Sequence, residues 1–289
     1  MALPEGVRMR FDHVSIAVNS IDRAFEFFKR HFPIRERSPR QQTEQKSGGF
    51  YWRDFYLGGF VVELIEDLPA RDGFVTRFIR KRGEGFHHLS IELNHLDPVL
   101  AMLRRDGVRV VDEQDFEDGG KTAFISPRSA FGTLIQFWQV PLFEQAPALP
   151  APDDGGAHFD HVAIAVKDIG KAIAFFSRYF PSRLGRPPSL NRRGNFMLAN
   201  MEVAGFKLEF VQSPGREVHD DFVARFIERR GEGMHHISID IKDFDAMVAR
   251  LKADGIRVVD ERTNWRGERQ FFIAPRSAFG TLIQVWDWP

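Results

Sequence analysis

At 289 residues the chain suits two domains of about 140 residues, each large enough for its own core. Its 43% hydrophobic and 28% charged content is ordinary for a globular protein and excludes disordered and fibrous classes, while forty basic against forty acidic residues argue against a general nucleic-acid binder. With no cysteine there is no disulfide, thiolate ligand or cysteine nucleophile, so any metal site must use nitrogen and oxygen donors.

In chain order, the opening MALPEGVRMR lacks the apolar stretch of a signal peptide. No later run approaches the roughly 18 apolar residues of a membrane helix, so a cytoplasmic location without membrane contact is expected. FDHVSIAV from Phe11 reads as a strand, and Asn19 or Ser20 as the cap of a helix over IDRAFEFFKRHF. QQTEQKSGG, carrying Glu44, has little pattern; GGFVVELIED and RGEGFHHLSIE then read as strands. Asp97 is expected to cap a helix that has Pro98 at its start and Gly107 past its end. Short strands follow, the last over GTLIQFW, preceded by Pro127-Arg128-Ser129. Val140 to Ala157 is rich in Pro, Ala and Gly and reads as a linker.

Beyond it the whole pattern returns. The same offset of 148 residues carries Phe11 to Phe159, Arg82 to Arg230 and Phe124 to Phe272, each at the head of a near-identical segment. Asp168 and Asp243 precede the two matching helices. A fainter repeat lies inside each copy, because an H-V/L-S/A-I strand opens both its halves, at His13 and His88, then at His161 and His236. The unit of strand, helix and two or three strands therefore occurs four times. The expected domains are residues 8–139 and 158–289, joined by the linker 140–157.

Strand parity says what each polar residue faces. Val14, Ile16 and Val18 form the apolar face of the first strand and leave His13 on the other; Leu89, Ile91 and Leu93 share a face with His87 and leave His88 opposite. The same test separates Glu63 from Val62 and Leu64, and Gln136 from Ile135 and Phe137; Glu209 and Gln284 repeat it. If such a sheet curls with that face inward, a His, Glu, His, Gln set meets in a polar cavity in each copy. His87 is expected either in the core or behind the ligands as their support.

These motifs resemble the vicinal oxygen chelate superfamily of glyoxalases, bleomycin resistance proteins and dioxygenases, and most closely its methylmalonyl-CoA epimerase-like domains. DHVAIAV, the GEG-x-HHI run and Pro-Arg followed by GTLIQ carry the likeness. The resemblance implies an α+β fold in which tandem paired βαβββ modules, four in all, form two incomplete β-barrels related by a pseudo-twofold. It places metal ligands at His13, Glu63, His88 and Gln136, and at His161, Glu209, His236 and Gln284. The epimerases typically carry Gln at the earlier non-His position and Glu on the last strand, and this sequence swaps the two. A Glu between the first helix and the second ligand strand serves those epimerases as a base, which implies Glu44 in the first copy. The matching stretch of the second, Ile169 through Met201, has no Asp or Glu but carries Arg178, Arg183, Arg186, Arg192 and Arg193. There the expectation is an anion site or a scaffold. Arg128 and Arg276 are candidates to clamp a carboxylate or phosphate of the substrate.

Two imidazoles, a carboxylate and an amide oxygen suit a divalent ion such as manganese, iron, cobalt, nickel or zinc. The expected activity is that of a metal-dependent isomerase or lyase acting on a small oxoacid or acyl thioester such as an acyl-CoA. An Fe(II) dioxygenase of the ring-cleaving or hydroxyphenylpyruvate type is an alternative, weakened because Gln136 and Gln284 stand where its carboxylate ligand would. A drug- or metabolite-binding protein without turnover is a third reading. The expected partner is a small molecule, not nucleic acid, with the two copies forming a pseudo-dimer within one chain and further homo-oligomers allowed.

Overall fold

The computed structural model describes residues 3–288 except 46–47, 70–71, 142, 144–154, 192, 216–217, 219–220 and 265, and only the backbone at 44–45. Most of the expected linker thus lies outside the described residues. The first copy runs β1 (Met9–Ala17), α1 (Ile21–His31), β2 (Ile34–Gln45), β3 (Gly48–Leu57), β4 (Phe60–Asp67), α2 (Phe74–Arg82), β5 (Gly85–Leu93), α3 (Asp97–Arg105), β6 (Val110–Asp115), β7 (Lys121–Ile125) and β8 (Leu134–Gln139). The second copy repeats it as β9 (Ala157–Ala165), α4 (Ile169–Tyr179), β10 (Ser182–Leu190), β11 (Met197–Val203), β12 (Phe206–Gln212), α5 (Phe222–Arg230), β13 (Gly233–Ile241), α6 (Phe244–Ala253), β14 (Val258–Thr263), β15 (Arg269–Ile273) and β16 (Ile283–Asp287).

The fold is α+β, with two open eight-stranded mixed sheets ordered β2-β3-β4-β1-β5-β8-β7-β6 and β10-β11-β12-β9-β13-β16-β15-β14. Each module runs from its first strand through a helix and two further strands to a last strand that pairs in parallel with the first, β4 with β1 and β8 with β5, then β12 with β9 and β16 with β13. Ser20 caps α1 and Asp168 caps α4, each side chain accepting from the backbone N–H three residues on. Asp97 is not a cap: Leu96 holds that position and gives its N–H to Gln139, while Asp97 lies within α3 and accepts from Lys121. The short helices α2 and α5 were not evident in the sequence. They form because Asp67 accepts from Val75 and Thr76 N–H, and Asp221 from Ala224 N–H, while Phe74, Val75, Phe78 and Ile79 turn one apolar face onto Phe50 and Ile65.

By contact the chain divides into two compact units, each drawing on both repeats. One comprises Met1–Asp12, His88–Pro147 and His161–His235; the other comprises His13–His87, Ala148–Asp160 and His236–Pro289. The boundaries fall within β1, β5, β9 and β13. Within the first unit, Arg178 and the Tyr179 hydroxyl both donate to Asp106, and the Phe11 N–H donates to the carbonyl of Ala204. Within the second, Arg30 pairs with Asp254, and the ring of Phe60 lies on that of Phe159. The near-identical RGEG and FGT motifs also explain one another there. Glu84 accepts from Asn19 N–H, and its own carbonyl is seated against Gly280, where no Cβ would fit; in the first unit Glu232 accepts from Lys167 N–H and lies against Gly132 in the same way. Among the described residues no helix is long and apolar enough to cross a membrane.

Candidate metal centre

Strand register delivers the ligand-type side chains. Parallel pairing sets Glu63 beside Ser15 and Gln136 beside Ser90, so both lie on the faces that carry His13 and His88. The second copy pairs Glu209 with Ala163 and Gln284 with Ser238. Small residues at these positions leave room over the strands, and Ser15, Ser90 and Ser238 are buried with hydroxyls that make no hydrogen bond within the protein.

One donor atom from each of His13, Glu63 and His88 lies within 4.8 Å of the others, and His161, Glu209 and His236 make the same group. His13 Nε2 is 3.4 Å from a Glu63 carboxylate oxygen and His161 Nε2 is 3.7 Å from one of Glu209. Both separations exceed a good hydrogen bond. The first suits two atoms sharing one ion, since ligands held at about 2.1 Å lie about 3.0–3.4 Å apart, and the second is a few tenths of an ångström wider than that. Gln136 and Gln284 are buried, and each has its amide nitrogen engaged: Gln136 Nε2 donates to Thr122 Oγ1 at 3.4 Å, and Gln284 Nε2 to Gln270 Oε1 at 3.0 Å. Thr122 gives its own proton to the Phe137 carbonyl at 3.0 Å, so it can only accept from the amide. With nitrogen committed, each amide presents its oxygen elsewhere, as a hard-ion ligand must. The donor set therefore fits a divalent ion.

His87 and His235 take the opposite role. His87 packs against the rings of Phe74 and Phe78, and His235 against Phe222 and Phe226. Burial lowers both imidazoles to about 4; for His87 the nearby Glu63 and Asp67 oppose the shift. A histidine that resists protonation only when folded stabilises fully above its unfolded value of 6.5, and that stability is lost as pH falls from there toward 4. The metal-free protein is therefore expected to lose up to about 2 kcal/mol for each of the two between pH 7.5 and 5. Urea unfolding in EDTA at the two values checks this, and His235→Phe should flatten part of the slope.

The other expected site residues are distributed differently. Arg128 and Arg276 are exposed on the turns before β8 and β16. Glu44 lies opposite Gly49 on β2, and its side chain is outside the described residues. Among the second copy's arginines, Arg178 pairs with Asp106, Arg183 with Glu202, and Arg186 donates to Ser189; Arg192 lies outside the described residues. A residue that strand reading passed over is Asp54. It is buried on β3 directly opposite Glu63, and burial raises its carboxyl while Arg37, at 3.2 Å, and Ser38 pull it back. The signal was available, since Gly58-Gly59 between Leu57 and Phe60 makes a two-residue turn that pairs Asp54 with Glu63.

The sequence profile of the glyoxalase/bleomycin resistance protein/dioxygenase superfamily matches residues 12–125 and again 160–272. The Bacillus subtilis protein YqjC is 35% identical over 129 residues, 44% of this chain and 89% of its own length. Human mitochondrial methylmalonyl-CoA epimerase is 30% identical over 129 residues, 44% of this chain and 71% of the human protein. A variant of 4-hydroxymandelate synthase from Streptomyces coelicolor shares the fold across 97% of this chain and 92% of its own, with a TM-score of 0.63 at 14% identity. With a profile match in each repeat, paired βαβββ modules and a duplicated His, Glu, His cluster, the chain belongs to the glyoxalase/bleomycin resistance protein/dioxygenase superfamily.

Proposed function

We propose that each copy holds one divalent ion, through His13, Glu63, His88 and Gln136 in the first and His161, Glu209, His236 and Gln284 in the second. On this reading the protein is an isomerase or lyase that moves a proton beside the carbonyl of a small oxoacid or acyl thioester. The observation that carries it is the pair of His, Glu, His clusters with ligand atoms within 4.8 Å. The similarity to an epimerase supports it. When bound, such an ion supplies Lewis-acid stabilisation of the enolate that forms as the proton leaves.

The chain's own groups do the rest. The two imidazoles and the carboxylate fix the centre, and Thr122 or Gln270 holds the fourth side chain in the rotamer that offers oxygen. Glu44 is the proposed proton acceptor of the first copy, which makes that copy the turnover site and leaves the second to bind an anion or act as a scaffold. Arg128 and Arg276, exposed at the turns, are proposed to meet the acidic end of the substrate. Gln136 and Gln284 stand on the last strand, where the resemblance implies that an Fe(II) dioxygenase would carry its carboxylate; this disfavours ring cleavage, although Glu63 and Glu209 supply a carboxylate from another strand.

Elemental analysis of purified protein, expected to give a divalent metal in a defined ratio to chain, tests the centre. Solvent deuterium entering a candidate acyl-CoA beside the thioester, without oxygen uptake, tests the chemistry. Thr122→Val is expected to weaken first-centre metal binding roughly 10- to 100-fold, because the amide then loses the contact that orients it. Competition with a chelator measures this, and an unchanged affinity would refute the orienting role.

A further inference from the structure

Resting on that reading, we propose that the Arg37–Asp54 pair makes the first centre selective for ligands that chelate through two neighbouring oxygens, one of which carries a proton. The class is an α-hydroxyacyl compound, that is an α-hydroxy thioester, acid or ketone, which narrows the substrates of that reading to those with a hydroxyl beside the carbonyl. The second centre lacks this selection.

The argument starts from the cross-strand pair. Asp54 stands directly opposite Glu63 in the β3–β4 ladder, and such neighbours project from the same face of a sheet. Asp54 therefore shares the ligand face and is buried beside it. Its two oxygens are not equivalent. Oδ2 receives Arg37 Nη1 at 3.2 Å, whereas Oδ1 is buried and accepts no hydrogen bond within the protein. An ionised carboxylate only accepts, and a buried acceptor left unmet is costly, so Oδ1 is suited to a donor that arrives with the ligand.

The second copy serves as an internal control. Both edge hairpins bulge at the same place: Ser38 faces Asp54 past the bulge in one, and Arg186 faces Asn200 in the other. Gly185 thus stands where Arg37 does and Asn200 where Asp54 does, while Asn200 opposes Glu209 as Asp54 opposes Glu63. The ligand residues are retained, and the charged pair beside them is replaced by a neutral amide and a glycine. Arg186 does not restore it, because its guanidinium is exposed and turned to Ser189.

The test uses Co(II) as the ion and two probes that differ only in the donor: glycolate, with a hydroxyl beside its carboxylate, and methoxyacetate, with that oxygen methylated. Each is titrated by calorimetry into cobalt-loaded full-length chain in which one centre is disabled, by His161→Ala/His236→Ala or by His13→Ala/His88→Ala. The first centre is expected to prefer glycolate about tenfold, and the second by about twofold or less. Asp54→Asn should abolish the preference: Arg37 will draw the amide oxygen to itself and leave an NH₂ group where Oδ1 stood. Arg37→Gln, which leaves the carboxylate in place but held by Ser38 alone, should weaken the preference and decides the matter if Asp54→Asn binds no cobalt. A preference that survives both variants, or is equal in the two centres, overturns the inference while leaving the metal centre standing. Failure of the unmodified chain to bind cobalt at all overturns the metal-centre reading and the inference with it.

Discussion

Replacing Gly132 with alanine is expected to destabilise the protein by about 4 kcal/mol or more, enough to leave much of it unfolded or aggregated on expression. Two costs add there. The backbone φ of +71° disfavours any L side chain, and a Cβ would be driven into the backbone carbonyl of Glu232, which has no rotamer with which to yield. Gly107 separates the two terms. It has nearly the same φ, +73°, with nothing within 4 Å of an added Cβ, so Gly107→Ala should cost only about 1 kcal/mol. Thermal or urea unfolding of the two variants side by side reads the difference. Equal stabilities would mean that Gly132 is required for its dihedral alone. Gly280, held against Glu84 at φ +74°, is expected to behave as Gly132 does.

Alanine at His88 is expected to lower metal affinity at the first centre about a hundredfold or more, so that the chain purifies with roughly half its metal. The lost group is a buried imidazole of the His13, Glu63, His88 cluster, and of the proposed ligands only His13, Glu63 and the weaker amide of Gln136 would remain. His236→Ala removes the equivalent group from the second copy. Turnover that disappears with His88→Ala and survives His236→Ala would assign catalysis to the first centre. The reverse result, or full turnover with Glu44→Ala beside none with His161→Ala, would move it to the second. Metal content unchanged in both variants would sink the ligand assignment itself.

Much of this centre was legible in one dimension because β-structure alternates. Once Val14, Ile16 and Val18 mark the apolar side of the first strand, His13 must take the other, and the same arithmetic placed His88, Glu63 and Gln136. Parity also set His87 apart from His88, and the structure seats His87 against Phe74 and Phe78. Asp54 escaped because its strand, FYWRDFYL, mixes aromatic and charged residues on both faces and offers no clear apolar side. Helix α2 escaped because FVTRFIRKR spans only about two and a half turns and is ended by Gly83; its start depends on Asp67, seven positions upstream at the end of β4.

The repeat, the four modules and the faces of their strands follow from the amino-acid sequence alone, since an offset of 148 residues and alternation along a strand are properties of neighbours in the chain. Which modules pack together was decided only in three dimensions. Each contact unit takes the first module of one copy and the second module of the other. Nothing local in the chain encodes that choice: it rests on glycines that admit a carbonyl from the other repeat and on the Arg30–Asp254 and Arg178–Asp106 pairs, each more than seventy residues apart in sequence. The difference between the centres is likewise tertiary. The proposed ligand residues recur in both copies, and only strand pairing shows that Asp54 stands beside one Glu and Asn200 beside the other.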